Sequence, residues 1–242
     1  QFIIAIAIFV AIVPEGLPII LVITLALGMR NMAKHKAIIR RMKAVETLGS
    51  TTVICSDKTG TLTKNQMTAR QISTTEGDFQ ITGEGFKPKG VILFEGKPLG
   101  DDELSRHQNN LGFRLAAACL SLCHNSQITK VDGLWEALGD PTDSACAVAG
   151  WKINGDVQKF AQRHSRLHEF FFDTKRKRMS VIHEYEGEKW VFSKGGAGGY
   201  IHLVDWKVSG DEIVPIDEND FKRAEDANRD MAGKAMRVLA LC

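Results

Sequence analysis

An apolar run over residues 2–29, interrupted by the string PEGLP at residues 14–18, constrains this chain most strongly. At about 1.5 Å per residue, a helix of this length crosses a hydrocarbon core of about 30 Å. Pro14 and Pro18 each remove a backbone donor and crowd the preceding turn, so we predict a membrane helix that is broken at residues 14–18. A signal anchor or a buried helix of a soluble protein is the alternative for such a run.

Glu15 lies in the middle of this run, at membrane depth. A carboxylate there costs roughly 2.5 kcal/mol or more unless it faces a partner. The prolines leave carbonyl groups around residues 10–13 without helical partners, and a cation is the ligand that these oxygens would share with Glu15. The interrupted run therefore predicts a cation-binding site.

A cluster of basic residues follows the run, and it comprises Arg30, Lys34, Lys36, Arg40, Arg41 and Lys43. Short segments rich in Lys and Arg stay on the cytoplasmic side of a membrane, so we expect the residues after about 30 to be cytoplasmic. Five cysteines without Cys-x-x-Cys spacing agree with a reducing compartment. The net charge of +2 is too small to indicate a nucleic-acid partner, and we predict none.

Residues 30–50 have helical spacing and predict a stalk helix that ends at Gly49 and Ser50. Residues 51–56 are apolar and rich in β-branched side chains, which predicts a buried parallel strand. Asp57 follows at the carboxyl end of that strand, where open α/β sheets place their ligands. This position suits a nucleophile.

The chain beyond Thr63 mixes extended and helical patterns, which predicts an α+β domain. Strands are predicted over 69–75, 91–94, 189–193 and 206–208, and helices over 111–123, 143–153 and 220–231. Two segments rich in turn residues, 82–90 and 96–102, are predicted as surface loops.

The string DKTGTLT at residues 57–63 indicates phosphoryl chemistry. An aspartate can attack the γ-phosphorus of ATP and form an aspartyl-phosphate when Mg²⁺ and cations neutralise the phosphoryl oxygens. Asp57, Lys58 and Thr59 supply several of these parts, with Asp57 as the attacking group and as a ligand of Mg²⁺. The Thr59 carbonyl can complete the metal shell, and Gly60 lets the backbone approach the ligand.

This string resembles the phosphorylation signature of the P-type ATPases, and Asn65 and Met67 fit its continuation. The family's phosphorylation domain has the haloacid-dehalogenase-like fold, whose phosphatase members carry an acid/base Asp two residues after the nucleophile. Thr59 occupies that place here, which implies slow attack of water on the phosphorylated aspartate. A soluble phosphatase of that fold is the alternative reading, and Thr59 and the apolar run both oppose it.

The string VPEGLP at residues 13–18 resembles the fourth membrane helix of the calcium-pumping branch. The resemblance implies that Glu15 and the carbonyls of Val10, Ala11 and Val13 bind the transported cation, with calcium favoured and manganese open because both accept oxygen ligands. The string AVETLGS at residues 44–50 resembles the family's stalk, although Lys43 stands where Pro is frequent.

Two strings resemble the adenine side of the family's nucleotide-binding domain. GDPTD at residues 139–143 implies that Asp143 meets the adenine amino group, where the family usually has Glu. FDTKRKRMS at residues 172–180 implies that Phe172 stacks on adenine, with Lys177 and Met179 lining the pocket. A solvated basic run on a strand is the alternative for the second string.

Two further strings imply contacts at the other parts of the nucleotide. KGGAG at residues 194–198 keeps Lys194 to face the nucleotide, but the family's Lys-Gly-Ala-Pro-Glu is lost after Gly195. Losing Pro and Glu removes a preset helix start and a favourable charge, together about 1 kcal/mol of local order. Arg237 in MRVLAL resembles the family's hinge arginine that meets the phosphates.

The resemblance covers essentially the whole chain and implies an internal piece of a cation-transporting ATPase that uses ATP and Mg²⁺. The implied parts are a broken transmembrane helix 1–29, a stalk 30–50, the start of an α/β phosphorylation domain 51–68, an α+β nucleotide-binding domain 69–235 and a hinge strand 236–242. Its partners would be ATP, the lipid bilayer and the remainder of its own chain. Alone, the piece would at most bind nucleotide.

Three other patterns are not predicted to be sites. His164 and His168 have helical i, i+4 spacing but lack an acidic third ligand. Cys119 and Cys123 beside His124 fit core helix residues better than zinc ligands. The glycines at 195–199 lack the ending and the context of a phosphate-binding loop.

Overall fold

The computed structural model describes residues 2–12 and 16–242, with the backbone alone for residues 10–12. The chain forms two compact units, Gln1–Leu62 and Thr63–Cys242. The first unit consists of helices, whereas the second is a mixture of small sheets and helices.

The first unit contains three helices, which are α1 (Phe2–Ile12), α2 (Leu17–Lys34) and α3 (Lys43–Gly49). Pro18 is tolerated in the first turn of α2, where its missing N–H has no helical partner in any case. Among the described residues α2 alone is long and apolar enough to cross a membrane, and none of its residues is buried. Of the residues 14–18 at which the break is predicted, Pro14 and Glu15 lie outside the described residues, and α2 begins at Leu17.

The continuous stalk helix predicted over residues 30–50 is wrong. Helix α2 ends in a Schellman motif, in which the Ala37 N–H donates to the Met32 carbonyl and the Lys36 N–H to the Ala33 carbonyl, both at 3.0 Å. Lys36 has a φ of +63°, which turns the chain out of the helix. The helix resumes only at Lys43, after an irregular segment over residues 35–42.

The buried parallel strand predicted over residues 51–56 is also wrong. These residues are exposed and lack regular structure, and the Ile54 side chain is 86% exposed. A β-strand requires a hydrogen-bonded neighbour, and no described strand pairs with this segment. It leads into an irregular turn over Lys58–Leu62, where Gly60 has a φ of +75°.

The second unit begins with an antiparallel four-stranded sheet and two helices. These elements are β1 (Gln71–Thr74), β2 (Gly77–Ile81), β3 (Ile92–Phe94), β4 (Lys97–Pro98), α4 (Asp101–Asn109) and α5 (Leu111–Leu122). A hairpin and two helices follow, namely β5 (Gln127–Val131), β6 (Leu134–Leu138), α6 (Pro141–Asn154) and α7 (Val157–Arg163).

The unit ends with a second antiparallel sheet of strand order β12-β9-β8-β7 and a small hairpin, β10–β11. The elements are β7 (Arg166–Asp173), β8 (Arg178–Tyr185), β9 (Glu188–Gly196), α8 (Ala197–Tyr200), β10 (Trp206–Ser209), β11 (Glu212–Pro215), α9 (Glu218–Gly233) and β12 (Leu239–Leu241). Strand β12, predicted as a hinge strand, thus pairs with β9 inside the second unit.

Helix α5 is the centre of the core of the second unit. One side of α5 packs Phe113 with Phe79 and other side chains of the first sheet. Another side packs Leu122 with Val181 of the second sheet. Gly150 lets α6 come close to α5, because a Cβ at this position would lie 2.6 Å from the Ser121 Oγ. Small residues at this contact therefore set the position of α6, which carries Asp143.

All seven elements predicted beyond Thr63 are present, with shifted ends. The loop predicted over residues 82–90 is confirmed, whereas the one over 96–102 contains β4 and the start of α4. His164 follows the end of α7 and His168 lies in β7, so the two do not share a helix. The unit has the mixed, antiparallel character expected of an α+β domain.

Candidate nucleotide site and phosphorylation loop

Asp143 and Lys194, which come from two separate strings, form an ion pair in the second unit. The Lys194 Nζ lies 2.6 Å from the Asp143 Oδ1, and the two side chains are only 6% and 18% exposed. The other carboxylate oxygen of Asp143 accepts from the backbone N–H of Asn125 at 3.0 Å. The structure therefore brings two residues of the predicted nucleotide site into direct contact.

The first turn of α6 fixes the position of Asp143. The Asp140 side chain caps the helix by accepting from the N–H groups of Thr142, at 2.7 Å, and Asp143, at 3.4 Å. Pro141 occupies the first helical position, where its fixed φ favours the start of a helix. The string GDPTD is thus a helix start, and Asp143 is held where that helix meets β9.

Burial and charge oppose each other at Lys194. Burial, the largest effect, lowers the pKa of the ammonium, but the charge of the Asp143 carboxylate and its hydrogen bond to Lys194 raise it, and the pKa lies above its ordinary value. Burial raises the pKa of the Cys146 thiol to about 11, so this thiol stays neutral. Lys194 is therefore a charged group, largely shielded from solvent, that is suited to an anionic ligand.

His124 lies beside this ion pair at the carboxyl end of α5. Burial, together with the nearby Lys194, lowers the pKa of the imidazole to about 4, so the ring is neutral near pH 7. Both ring nitrogens are buried and have no hydrogen-bond partner among the described residues. Burying both nitrogens without a partner carries a desolvation cost. The described residues contain no group of three His, Cys, Asp or Glu side chains that could hold a metal ion.

Arg166 in β7 was not predicted and holds the end of α5 in place. Its Nη2 donates to the carbonyls of Leu122 and His124, each at 2.8 Å, and its Nη1 donates to the Asn125 Oδ1 at 2.7 Å. Asn125 in turn donates through its side chain to Glu169. Because the Asn125 N–H binds Asp143, Arg166 positions the acidic residue of the site indirectly. A lone arginine in an apolar strand is a weak signal, which the sequence reasoning missed.

Phe172, Lys177 and Met179 lie in and around the turn between β7 and β8, but they have different environments. The Phe172 ring is 61% exposed on the edge strand, as a ring that receives a ligand would need to be. Lys177 has a φ of +52° in the turn, which Asp173 stabilises by accepting from the N–H groups of residues 175 and 176. Met179 is buried in the core and lies opposite Lys194 on the neighbouring strand, so it supports the backbone of Lys194 from within the core.

Gly195 allows a close approach of backbone and ring beside Lys194. A Cβ at this position would lie 2.6 Å from the Lys177 carbonyl oxygen and 3.0 Å from the Tyr200 ring. The Tyr200 hydroxyl bonds to Ser193, whose own hydroxyl donates to the Met179 carbonyl at 2.9 Å. Gly196 has open space and precedes the short helix α8, which still forms without the Pro and Glu of the family pattern.

Arg237 reaches the same helix start as Asp143. Its Nη1 donates to the Thr142 Oγ1 at 3.1 Å. Asp143 and Arg237 therefore meet at the first turn of α6, and Lys194 joins them through its ion pair with Asp143.

Asp57 lies in the first unit, on an exposed segment. Its Oδ1 accepts from the Thr59 N–H at 3.3 Å, and the left-handed Gly60 turns the backbone immediately afterwards. The Asp57 carboxylate and the Thr59 carbonyl are hard oxygen donors, which fit Mg²⁺. Of the predicted ion ligands, Val13 and Glu15 lie outside the described residues, and only the backbone is described at Val10 and Ala11.

Comparison with known proteins identifies the family. A family model described as the cytoplasmic domain N of P-type ATPases matches residues 113–242, more than half of the chain. The chain belongs to the P-type ATPases. The matched residues include Asp143, Lys194 and Arg237, and the family assignment argues against a soluble phosphatase.

Similar proteins are found in several bacteria. The chain is 37% identical over 240 residues to the probable cation-transporting ATPase F of Mycobacterium tuberculosis, covering 98% of this chain and 25% of the relative. It is 35% identical over 243 residues to a calcium-transporting ATPase of Bacillus subtilis, covering 100% of this chain and 26% of the relative. Calcium-transporting ATPase 1 of Lactococcus lactis is 36% identical over 246 residues, with 99% and 24% covered. The chain spans about a quarter of the length of these relatives.

Proposed function

We propose that the P-type ATPase containing this chain couples ATP hydrolysis to cation transport across a membrane, through an aspartyl-phosphate on Asp57. The observation that carries this proposal is the 2.6 Å contact between Asp143 and Lys194, which joins two separate nucleotide-site strings at one helix start. Arg237 adds a second cation at the same turn. Because three strings that are far apart in the sequence meet here, a nucleotide-binding site is favoured over an exposed run of basic residues.

ATP is the ligand that this arrangement suits. The exposed Phe172 ring offers a stacking surface for adenine, and the carboxylate of Asp143 is an acceptor for the adenine amino group. Lys194 and Arg237 supply positive charge for the phosphates, with Lys177 and Met179 completing the pocket. Because Asp143 is already bound to Lys194, adenine recognition would require the carboxylate to share its oxygens between the two.

Phosphoryl transfer would use Asp57 as the nucleophile. A carboxylate oxygen of Asp57 attacks the γ-phosphorus, a new O–P bond forms, the bond from that phosphorus to the β–γ bridging oxygen breaks, and ADP leaves. Bound Mg²⁺ supplies charge neutralisation for the phosphoryl oxygens. Asp57 and Thr59 would hold it, and Lys58 would add positive charge. Thr59 then provides no acid/base carboxylate for attack of water, so the phosphorylated aspartate persists.

The transported ion is proposed to be calcium, bound by Glu15 and the carbonyls of Val10, Ala11 and Val13. Two of the similar proteins are named as calcium-transporting ATPases, which supports this choice. Helix α2 would lie in the membrane, with the residues after about 30 in the cytoplasm, as the basic cluster favours. Manganese is the second candidate, because it accepts the same oxygen ligands.

The full-length protein should become labelled by ATP that carries a labelled γ-phosphate, and hydroxylamine should remove the label. Asp57→Asn should abolish labelling completely, because an amide does not form an acyl phosphate under these conditions. Asp132→Asn, in the exposed turn between β5 and β6, is the matched control and should label like the wild type. Label that survives in the Asp57→Asn variant would exclude the proposed nucleophile.

The ion assignment is tested by the cation that labelling requires. Labelling of the wild-type protein should depend on calcium, and Glu15→Gln should abolish this calcium-dependent labelling because the only carboxylate within the apolar run is lost. Labelling that depends on manganese and ignores calcium would replace calcium by the second candidate and leave the phosphorylation proposal intact.

A further inference from the structure

The basic cluster Arg30, Lys34, Lys36, Arg40, Arg41 and Lys43 is an uncompensated patch of positive charge. No Asp or Glu occurs between residues 16 and 45, so six positive charges have no acidic neighbour in this stretch. All six side chains are exposed, and none forms an ion pair with a described residue. The cluster can therefore attract a partner of opposite charge.

The end of α2 gathers these charges instead of spreading them along a stalk. In a continuous helix Lys43 would lie about 20 Å beyond Arg30, roughly twice the Debye length at physiological salt. The Schellman motif at Lys36 ends α2, and α3 comes back toward it. A Cβ on Gly28 would lie 3.6 Å from the Val45 Cγ1, so Lys43 is kept close to the last turns of α2.

Apolar side chains lie between these charges. Ile38 is 85% exposed and Met42 is also exposed, although both belong to the same irregular segment as Arg40 and Arg41. Exposed apolar groups alternating with cations suit an interface in which the apolar groups enter lipid and the cations meet headgroups. A purely aqueous surface gives Ile38 no favourable contact.

We propose that residues 30–43 bind anionic lipid headgroups in the leaflet at the carboxyl end of α2. The inference rests on the proposed insertion of α2 in a membrane. Lys and Arg within a Debye length of an anionic leaflet each strengthen binding by about fivefold. The occupant is the membrane surface of this leaflet, and the compact arrangement of six cations favours it over a single soluble phosphate.

The test measures the preference of the membrane-reconstituted chain for spin-labelled phosphatidylserine over spin-labelled phosphatidylcholine. We expect a clear preference for phosphatidylserine, which falls at least about threefold in about 0.5 M NaCl. The triple variant Arg40→Gln, Arg41→Gln, Lys43→Gln should show a loss of the same size. The matched control Lys87→Gln, Lys89→Gln, Lys97→Gln removes three exposed lysines of the second unit and should keep the preference.

Three outcomes overturn the inference. Equal immobilisation of both lipids by the wild-type chain contradicts it, as does an equal loss of preference in the control variant. Displacement of the labelled lipid by soluble glycerophosphoserine would indicate a pocket for a free phosphate instead. Alkaline extraction separates these outcomes from a failure of the proposed function, because a chain that is extracted from the vesicles is not inserted at all.

Discussion

The two units of the chain differ in how far their apolar side chains are buried. In the second unit Phe79 and Phe113 are completely buried, and α5 packs against both larger sheets. In the first unit no described residue is buried, although α2 and residues 51–56 are strongly apolar. Large exposed apolar surfaces mark contacts with a membrane or another protein surface. The second unit thus carries its own core, whereas the first one depends on what surrounds it.

This difference explains where chemistry can be preorganised. The ion pair of Asp143 and Lys194 is held by a capped helix and a central strand that are both part of the packed core. Asp57 lies on an exposed segment, where its carboxylate accepts from the Thr59 N–H at 3.3 Å. Nucleotide binding should therefore be a property of the second unit, and use of Asp57 should require further structure around it.

The largest expected effect comes from the core of the second unit. Phe79→Ala should lower the free energy of unfolding by about 3–5 kcal/mol, because removing the ring leaves a cavity in the core. The centroid of this ring lies 4.3 Å from that of the Phe113 ring. Ile54→Ala removes an exposed side chain of the first unit and should change stability by less than about 0.5 kcal/mol. Urea unfolding followed by circular dichroism measures both. A large effect of Ile54→Ala would contradict the contrast between the units.

The next effect concerns the backbone beside Lys194. Gly195→Ala should destabilise the second unit by about 1–3 kcal/mol, since its Cβ would lie 2.6 Å from the Lys177 carbonyl oxygen. Gly196→Ala is the matched control, because a Cβ there meets no atom within 4 Å and should change stability by less than about 0.5 kcal/mol. All four tryptophans lie in the second unit, so thermal unfolding followed by fluorescence reports on it. Equal effects of the two substitutions would refute the steric account.

The smallest effect is a pH dependence caused by His124. The pKa of this imidazole is about 4 in the folded protein and 6.5 ordinarily, so the unfolded chain binds the proton first as pH falls. Stability therefore decreases on acidification below pH 6.5, by about 1 kcal/mol between about pH 6.5 and about 5.5 for this group. Replacing His124 by Asn should remove that part of the slope.

Other histidines must be separated from this contribution. Burial also lowers the pKa of His164 and His183, which adds to the slope with the same sign. The informative quantity is therefore the difference between the wild type and His124→Asn at each pH. An identical slope in His124→Asn and the wild type would contradict the burial of a neutral ring.

Local signals predicted much of the second unit. Helices α5 and α6 have apolar spacing and polar N-cap residues, Asn110 and Asp140, that can be identified in the sequence. The errors lie where structure depends on distant or unusual features. Residues 51–56 have strand composition but no pairing strand among the described residues, and α2 is terminated by Lys36, a non-glycine residue in a left-handed conformation two residues beyond its last residue, Lys34. Neither condition can be inferred from composition and periodicity.

In the candidate site, too, the local strings were predictable and the contacts between them were not. The strings around Asp143 and Lys194 are recognisable in the sequence, but their contact depends on how α6 packs against β9. Arg166 could not be predicted, because its role arises only where β7 runs past the carboxyl end of α5. The role of Asp57 stays a prediction, since it depends on groups that the described residues do not supply.

Titration of the chain with ATP, followed by calorimetry, tests the contrast between the units most directly. We predict that the chain binds ATP, that Asp57→Asn leaves the dissociation constant unchanged, and that Lys194→Met weakens binding by about tenfold or more, a loss of at least about 1.4 kcal/mol. Circular dichroism of Lys194→Met should confirm that the second unit stays folded. Unchanged ATP affinity in a folded Lys194→Met variant would contradict the assignment of the nucleotide site to the contact between Asp143 and Lys194.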